Sequence, residues 1–270
     1  MSGIRIQMII CPICKNNEPK KVVSSEVSGI NFTVMQCSNL NCQHGFISPI
    51  PSIETLSSHY SCDQTNDACL VGKEYISKSM DFYSNIFNQV IEPIFQMKGK
   101  LLDVGAGNGT FVAAAKKQGW DATGLEFNKT ACQKAKEIFD IELFQGSFYE
   151  LEKFFSPESF DLISFNHVFE HVIDPVSYVK YITRFLKPNG CIYLGVPNMG
   201  SDDYHKHGSK WVYLHIPAHI SYFTCESLDD IFLHRVKLTK GHFEKVFQNT
   251  FPAPGMNQGE AITAIYRFRV

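Results

Sequence analysis

No run of five or six like charges occurs in the 270 residues. The formal charge is only −2, with a pI near 6.5. A broad electrostatic footprint for nucleic acid or an anionic membrane is therefore lacking, and a small molecule is the expected partner. Long apolar runs are lacking too, since none approaches the length of a membrane span. The opening MSGIRIQMII has one arginine and a very short apolar patch before polar CPICKNN, so it lacks a secretory h-region and the expected compartment is the cytoplasm. There is no internal repeat and no low-complexity tract. What is present is 44% apolar and 13% aromatic residues, enough for a sizeable core in one or two domains. Oligomeric state is left open by all of this.

Nine cysteines in a reducing compartment read as metal ligands or buried thiols rather than disulfides. Four fall near the N-terminus, as Cys11-Pro-Ile-Cys14 and, after a 22-residue gap, Cys37-Ser-Asn-Leu-Asn-Cys42. Zn²⁺ takes four soft ligands in a tetrahedron. A C-x₂-C turn delivers two thiolates from one tight loop, and a hairpin between the pairs brings in the other two. KVVSS and INFTVMQ are β-branched or alternating runs separated by EVSG, a hairpin signal. The spacing predicts a zinc ribbon over residues 1–50, with Cys11, Cys14, Cys37 and Cys42 around a structural Zn²⁺ that folds the subdomain. The gap exceeds the usual about 15–20 residues and the second pair is spaced x₄, which keeps His44 open as a replacement for Cys42.

Residues 51–98 read as a proline-marked linker followed by capping helices. Tyr75, Met80, Phe82, Tyr83, Ile86, Phe87, Val90 and Ile94 recur at mostly three- and four-residue steps, interrupted by Pro93. From residue 99 the pattern changes. KLLDVGA, DATGLEF, IELFQGS, FDLISFNHV and CIYLGVPN read as strands, with GTFVAAAKKQG, NKTACQKAKEIF and DPVSYVKYITRFLKP as helices between them. That alternation predicts an α/β domain over 99–270: a parallel sheet wound on both faces by helices, with an insertion at about 199–224. HFEKVFQNTF and AITAIYRFRV have no helix between them, so they predict an antiparallel hairpin at the far edge.

Ligands of such sheets bind where the first strand turns into its helix, and here that turn is DVGAGNG. Its glycines let the backbone approach a ligand and expose the N–H groups of the helix start. The dinucleotide fingerprint G-x-G-x-x-G is broken, because Thr110 stands where its third glycine belongs. Asp103 suits a ligand with an ammonium group or a positive centre. Glu126 ends the second strand and can take both hydroxyls of a ribose. These features describe an adenosine with an amino acid attached.

D-x-G-x-G-x-G, the acidic GLEFN, FDLISFNHVFEHVIDP, and LKPNG before a strand ending GVPN together resemble class I S-adenosylmethionine-dependent methyltransferases, over about residues 99–270. The resemblance implies a Rossmann-like seven-stranded sheet and a cofactor site formed by Asp103, Gly105, Ala106, Gly107, Gly109, Glu126, Phe127, Ser147 and Asn166. In it Phe127 would pack on adenine. Many members carry an Asp after the third strand, where this chain has Ser147 and Phe148. Pro49, Pro51, Trp211, His215, His219 and Phe223 extend the likeness to bacterial methyltransferases with an N-terminal zinc ribbon, many linked to polysaccharide or secondary-metabolite modification.

Methyl transfer to a hydroxyl needs a base, for which histidine is suited near neutral pH. The candidates are His167 and His171, four residues apart at the end of the fourth strand, and His219 in the insertion; His205 and His207 read as solvated. Ubiquinone-type O-methyltransferases carry an E-x-x-E-H cluster that can bind a divalent ion, and the matching segment here is His167-Val-Phe-Glu170-His171. Trp211, Tyr213, Tyr222 and Phe223 read either as a pocket wall or as core. Two other classes stay open. An RNA-modifying methyltransferase would show a basic stripe, of which only Lys15, Lys20 and Lys21 are visible, and a non-catalytic scaffold would have lost the cofactor loop.

Overall fold

The computed structural model describes residues 9–52, 55–56, 72–251 and 261–270. Cys62, Cys69 and most of the expected linker lie outside them. The small N-terminal sheet begins with β1 (Lys20–Val27) and β2 (Ile30–Gln36), an antiparallel hairpin, and β3 (Gly45–Ser48) pairs antiparallel with β2. The expected hairpin between the cysteine pairs is therefore present.

The next element is α1 (Lys73–Ile86), which continues through a π-helical turn at Phe87–Ile91 into a tight turn holding Pro93. Its apolar face packs on Phe111 and Trp120 of the following domain, with Tyr83 edge-on to Phe111 at 5.1 Å between ring centres. Each large apolar side chain buried in this way contributes about 1.5–3 kcal/mol.

The large sheet contains β4 (Lys100–Val104), β5 (Asp121–Glu126), β6 (Phe144–Gln145), β7 (Phe160–Asn166), β8 (Leu186–Pro197), β10 (His242–Phe251) and β11 (Ala261–Arg269). Its order is β10-β11-β8-β7-β4-β5-β6, with parallel pairing from β8 to β6 and antiparallel pairing at β11 and β10. Leu101, Leu102 and Val104 are fully buried, as central parallel strands covered on both faces must be. Helices α2 (Thr110–Lys117), α3 (Lys129–Phe139) and α4 (Pro175–Thr183) lie between strands. Asn128 caps α3 by accepting from Ala131 N–H at 3.1 Å. Asp174 does the same for α4 through Ser177, with Pro175 preset at the first helical position.

Two elements are shorter than the sequence implies. β6 keeps only two residues because it is an exposed edge strand, and α4 stops at Thr183 because β8 begins as early as Leu186. The insertion holds α5 (Asp202–His207) and a short strand β9 (Ser221–Tyr222), and is followed by α6 (Cys225–Asp229). β9 pairs antiparallel with β3, so the insertion supplies the fourth strand of the N-terminal sheet.

Candidate functional site

Gly105, Gly107 and Gly109 all have positive φ, at 69°, 54° and 79°, which L side chains rarely adopt. A Cβ on Gly105 would overlap Val168 Cγ2, and one on Gly109 would stand 2.9 Å from the Ala135 Cβ. The loop is tied to the end of β5 by Gly105 and Ala106 N–H donating to Leu125 O at 2.8 and 3.0 Å. Glu126, next along, accepts from Gly107 N–H at 2.9 Å and Asn128 N–H at 2.7 Å, one on each oxygen. Each oxygen keeps a second lone pair, enough for a vicinal diol. Burial pushes the Glu126 carboxyl up despite these bonds.

Asp103 is 2% exposed and accepts from Ser164 Oγ at 2.8 Å and Asn166 Nδ2 at 3.2 Å. Burial raises its carboxyl to about 7, against the pull of those two donors. Phe127 is 62% exposed, free to cover a flat ring, while Ser147 Oγ accepts from Tyr149 N–H at 3.2 Å.

Val168, the residue that abuts Gly105, lies inside the histidine segment, so the two motifs touch. His167 itself has φ +53°, an uncommon left-handed conformation for a non-glycine residue directly after a strand. Its ring stacks on Tyr213 at 6.2 Å. Glu170 is buried at 1% exposure and neither oxygen accepts a hydrogen bond; His167 Nδ1 lies 3.5 Å from its Oε1. Burial pushes the carboxyl up, but contact with His167 and the neighbouring imidazoles of His171 and His219 outweigh it and hold it at about 2.

His171 Nδ1 lies 2.9 Å from Ala218 O, which fixes the tautomer with the proton on Nδ1. Its ring centre is 4.9 Å from that of His219. His219 is buried, its Nδ1 has no partner, and burial lowers its pKa to about 3, so it is neutral at pH 7. His205, His207 and His215 are exposed. Trp211, Tyr213 and Tyr222 join Val34 of the N-terminal sheet in one buried cluster, and Phe223 joins the main core. The aromatic residues of the insertion are therefore core.

The four N-terminal thiols also converge. Cys11 and Cys42 Sγ are 3.8 Å apart, Cys14 and Cys37 Sγ 3.4 Å, and all four lie within 4.8 Å of one another. Thiolates about 2.3 Å from a tetrahedral zinc stand about 3.8 Å apart, so the set fits that ion. Cys42 completes it; His44 is instead fully buried beside Phe46 and Phe223. The Cys42 contact pulls the Cys11 thiol down to about 5, while burial lifts that of Cys37 to about 12. A second convergent set is Glu170, His171 and His219, each offering one ligand atom within 4.8 Å of the others.

A family described as "Methyltransferase domain" matches residues 76–236, more than half of the chain. The chain belongs to the class I S-adenosylmethionine-dependent methyltransferases. Among curated relatives of this methyltransferase, the ubiquinone biosynthesis O-methyltransferase of Aliivibrio fischeri (strain MJ11) is 29% identical over 123 residues, 43% of this chain and 52% of that protein. The same-named protein of Histophilus somni is 33% identical over 107 residues, covering 37% and 45%. The chain thus spans about half the length of the curated relatives it matches. In fold, a SAM-dependent methyltransferase from Methanosarcina mazei gives a TM-score of 0.53 at 20% identity, over 67% of this chain and 98% of that one. A possible histamine N-methyltransferase from Thermotoga maritima gives 0.51 at 19%, over 73% and 94%. Both likenesses concern the fold alone. Among the described residues no helix is long and apolar enough to cross a membrane.

Proposed function

We propose that the protein transfers a methyl group from S-adenosylmethionine to a small-molecule acceptor, with a hydroxyl of a sugar or secondary metabolite as the favoured target. One observation carries this reading: the glycine loop and the histidine segment pack directly on each other through Gly105 and Val168, so a cofactor held by the first presents its reactive end to the second. The names of the curated relatives favour oxygen as the acceptor atom.

The residues fit the cofactor. Gly105, Ala106, Gly107 and Gly109 leave room for the methionine portion. Asp103 and Asn166 face its ammonium group, Glu126 takes the ribose hydroxyls, and Phe127 and Ser147 border the adenine. When bound, the sulfonium supplies an electrophilic methyl and leaves as a neutral thioether. The protein's task is to align the acceptor oxygen, exclude water and take up the hydroxyl proton. His171 is assigned that proton, because Ala218 O orients its ring and buried Glu170 stabilises the resulting imidazolium. His219, neutral and poorly basic, packs against His171, and His167 is exposed with its ring on Tyr213.

Asp103 gives this assignment a pH signature. Its carboxyl titrates near 7 when folded against 3.8 unfolded, so the ligand-free protein is most stable below pH 3.8 with respect to this group. That contribution declines as pH rises toward 7 and then levels. An ammonium ligand needs the carboxylate, so cofactor affinity rises by up to about tenfold per pH unit from pH 5 toward 7 and then flattens. Calorimetry across that range checks it, and Asp103→Asn should give a weak, pH-independent affinity. A wild-type profile flat from pH 5 to 8 would remove Asp103 from the ammonium site.

The four cysteines are read as ligands of a structural zinc. A second reading of the histidine cluster places a divalent cation on Glu170, His171 and His219, favoured by the buried carboxylate that accepts no hydrogen bond. Metal analysis separates the two: one zinc per chain supports the base assignment, whereas a second metal lost on Glu170→Gln supports the cation.

A further inference from the structure

The histidine cluster is held from an unexpected direction. Ala218 and Ile220 of the insertion are both bonded to the segment after β7, through His171 Nδ1 to Ala218 O at 2.9 Å and Ile220 N–H donating to Glu170 O at 2.9 Å. The same stretch is bonded on its other side to the N-terminal sheet. Ile47 N–H donates to Ile220 O at 3.0 Å, and Gly45 and Phe46 pair with Tyr222 and Ser221. β3 in turn starts three residues after Cys42, and Cys37 N–H donates to His44 O at 2.9 Å, closing the cysteine knuckle onto its first residue. A series of hydrogen bonds thus runs from the Cys37–Cys42 knuckle through β3 and β9 to the backbone of Glu170 and the side chain of His171.

At Gly45 the series leaves no room for a side chain. A Cβ there would overlap Met199 Sδ and stand 2.8 Å from the Tyr222 Cβ. The backbone of Gly45 is not in the left-handed region, so conformational freedom is not what the position requires. It requires the absence of a side chain, so that β3 can lie against β9 and Met199.

We propose that Gly45 is a positioning residue for methyl transfer: by letting the cysteine subdomain dock flush on β9, it sets the placement of His171 and His219. The N-terminal subdomain is then a structural part of the acceptor side and has no part in holding the cofactor. This rests on the methyl-transfer reading for its meaning, while the docking itself is testable without an acceptor.

The experiment uses the full chain and compares wild type, Gly45→Val, Gly45→Ala, and Gly45→Ala combined with Met199→Ala, which clears the flexible half of the overlap. Gly29→Asn is the control, since Gly29 sits at a hairpin turn with open space around it. Hydrogen exchange is followed by mass spectrometry, and S-adenosylmethionine affinity and zinc content are measured on the same samples. Gly45→Val is expected to speed exchange at 167–173 and 215–223 by about tenfold or more while leaving 101–126 unchanged. Cofactor affinity should stay within about twofold and zinc content should not change. Gly45→Ala should fall between, and the double variant should return toward wild type. If Gly45→Val fails to fold, the Gly45→Ala pair decides alone. Exchange at 167–173 that stays at the wild-type rate in both Gly45 variants overturns the proposal, and so does a loosening that spreads equally to 101–126. If wild type binds no cofactor, the methyl-transfer reading falls while the exchange data still judge the docking.

Discussion

Replacing His171 with alanine should lower turnover by about two to four orders of magnitude, the usual contribution of a positioned general base, while leaving the S-adenosylmethionine dissociation constant nearly unchanged. The separation follows from geometry. His171 is oriented by Ala218 O and backed by Glu170, neither of which belongs to the glycine loop or to Glu126. His219→Ala should have a smaller effect on turnover, because a histidine titrating near 3 accepts little proton at pH 7 and contributes mainly by packing on His171. Initial rates with any accepted hydroxyl substrate, paired with calorimetry of cofactor binding, check both. Equal rates for wild type and His171→Ala would place the base elsewhere.

Cys42→Ser should be the most damaging change to the N-terminal subdomain. The thiol is fully buried, lies 3.8 Å from Cys11 Sγ and holds that partner's pKa near 5. A serine would leave three soft ligands, and structural zinc sites of this kind supply about 10 kcal/mol or more of folding free energy in small modules. Zinc content is expected to fall from one per chain to well below that. Because Cys11, Cys37 and Cys42 share a buried cluster with residues of the large sheet, thermal stability of the whole chain should fall as well. A variant that keeps one zinc and its full melting temperature would show that the thiols are ordinary packed cysteines.

Much of this was readable in the order of residues. The seven-stranded sheet follows from short apolar runs alternating with capped helices, and its antiparallel edge from two runs without a helix between them. The four cysteines were marked by their spacing, and Asp103, the glycine loop and Glu126 by their place at successive strand ends. What escaped the sequence depends on contacts far apart along the chain. β9 is two residues long, too short for any periodic signal, and its partner β3 lies some 175 residues earlier. The aromatic residues of the insertion could be pocket or core by composition, and their burial with Val34 of the N-terminal sheet and, for Phe223, in the main core decides for core. The weak basicity of His219 is a product of burial, which no spacing reveals. Glu170 stood in the sequence as a member of a metal-like pattern; its burial without a hydrogen bond is what gives it a part beside His171.

The most direct measurement is calorimetric titration of wild type and Glu126→Ala with S-adenosylmethionine and S-adenosylhomocysteine, using NADH as a control. The account predicts micromolar binding of both sulfur compounds to wild type, at least about tenfold weaker binding to the variant, where two ribose hydrogen bonds are gone, and none of NADH. Failure of wild type to bind either sulfur compound would contradict it, leaving a methyltransferase fold whose glycine loop holds no cofactor.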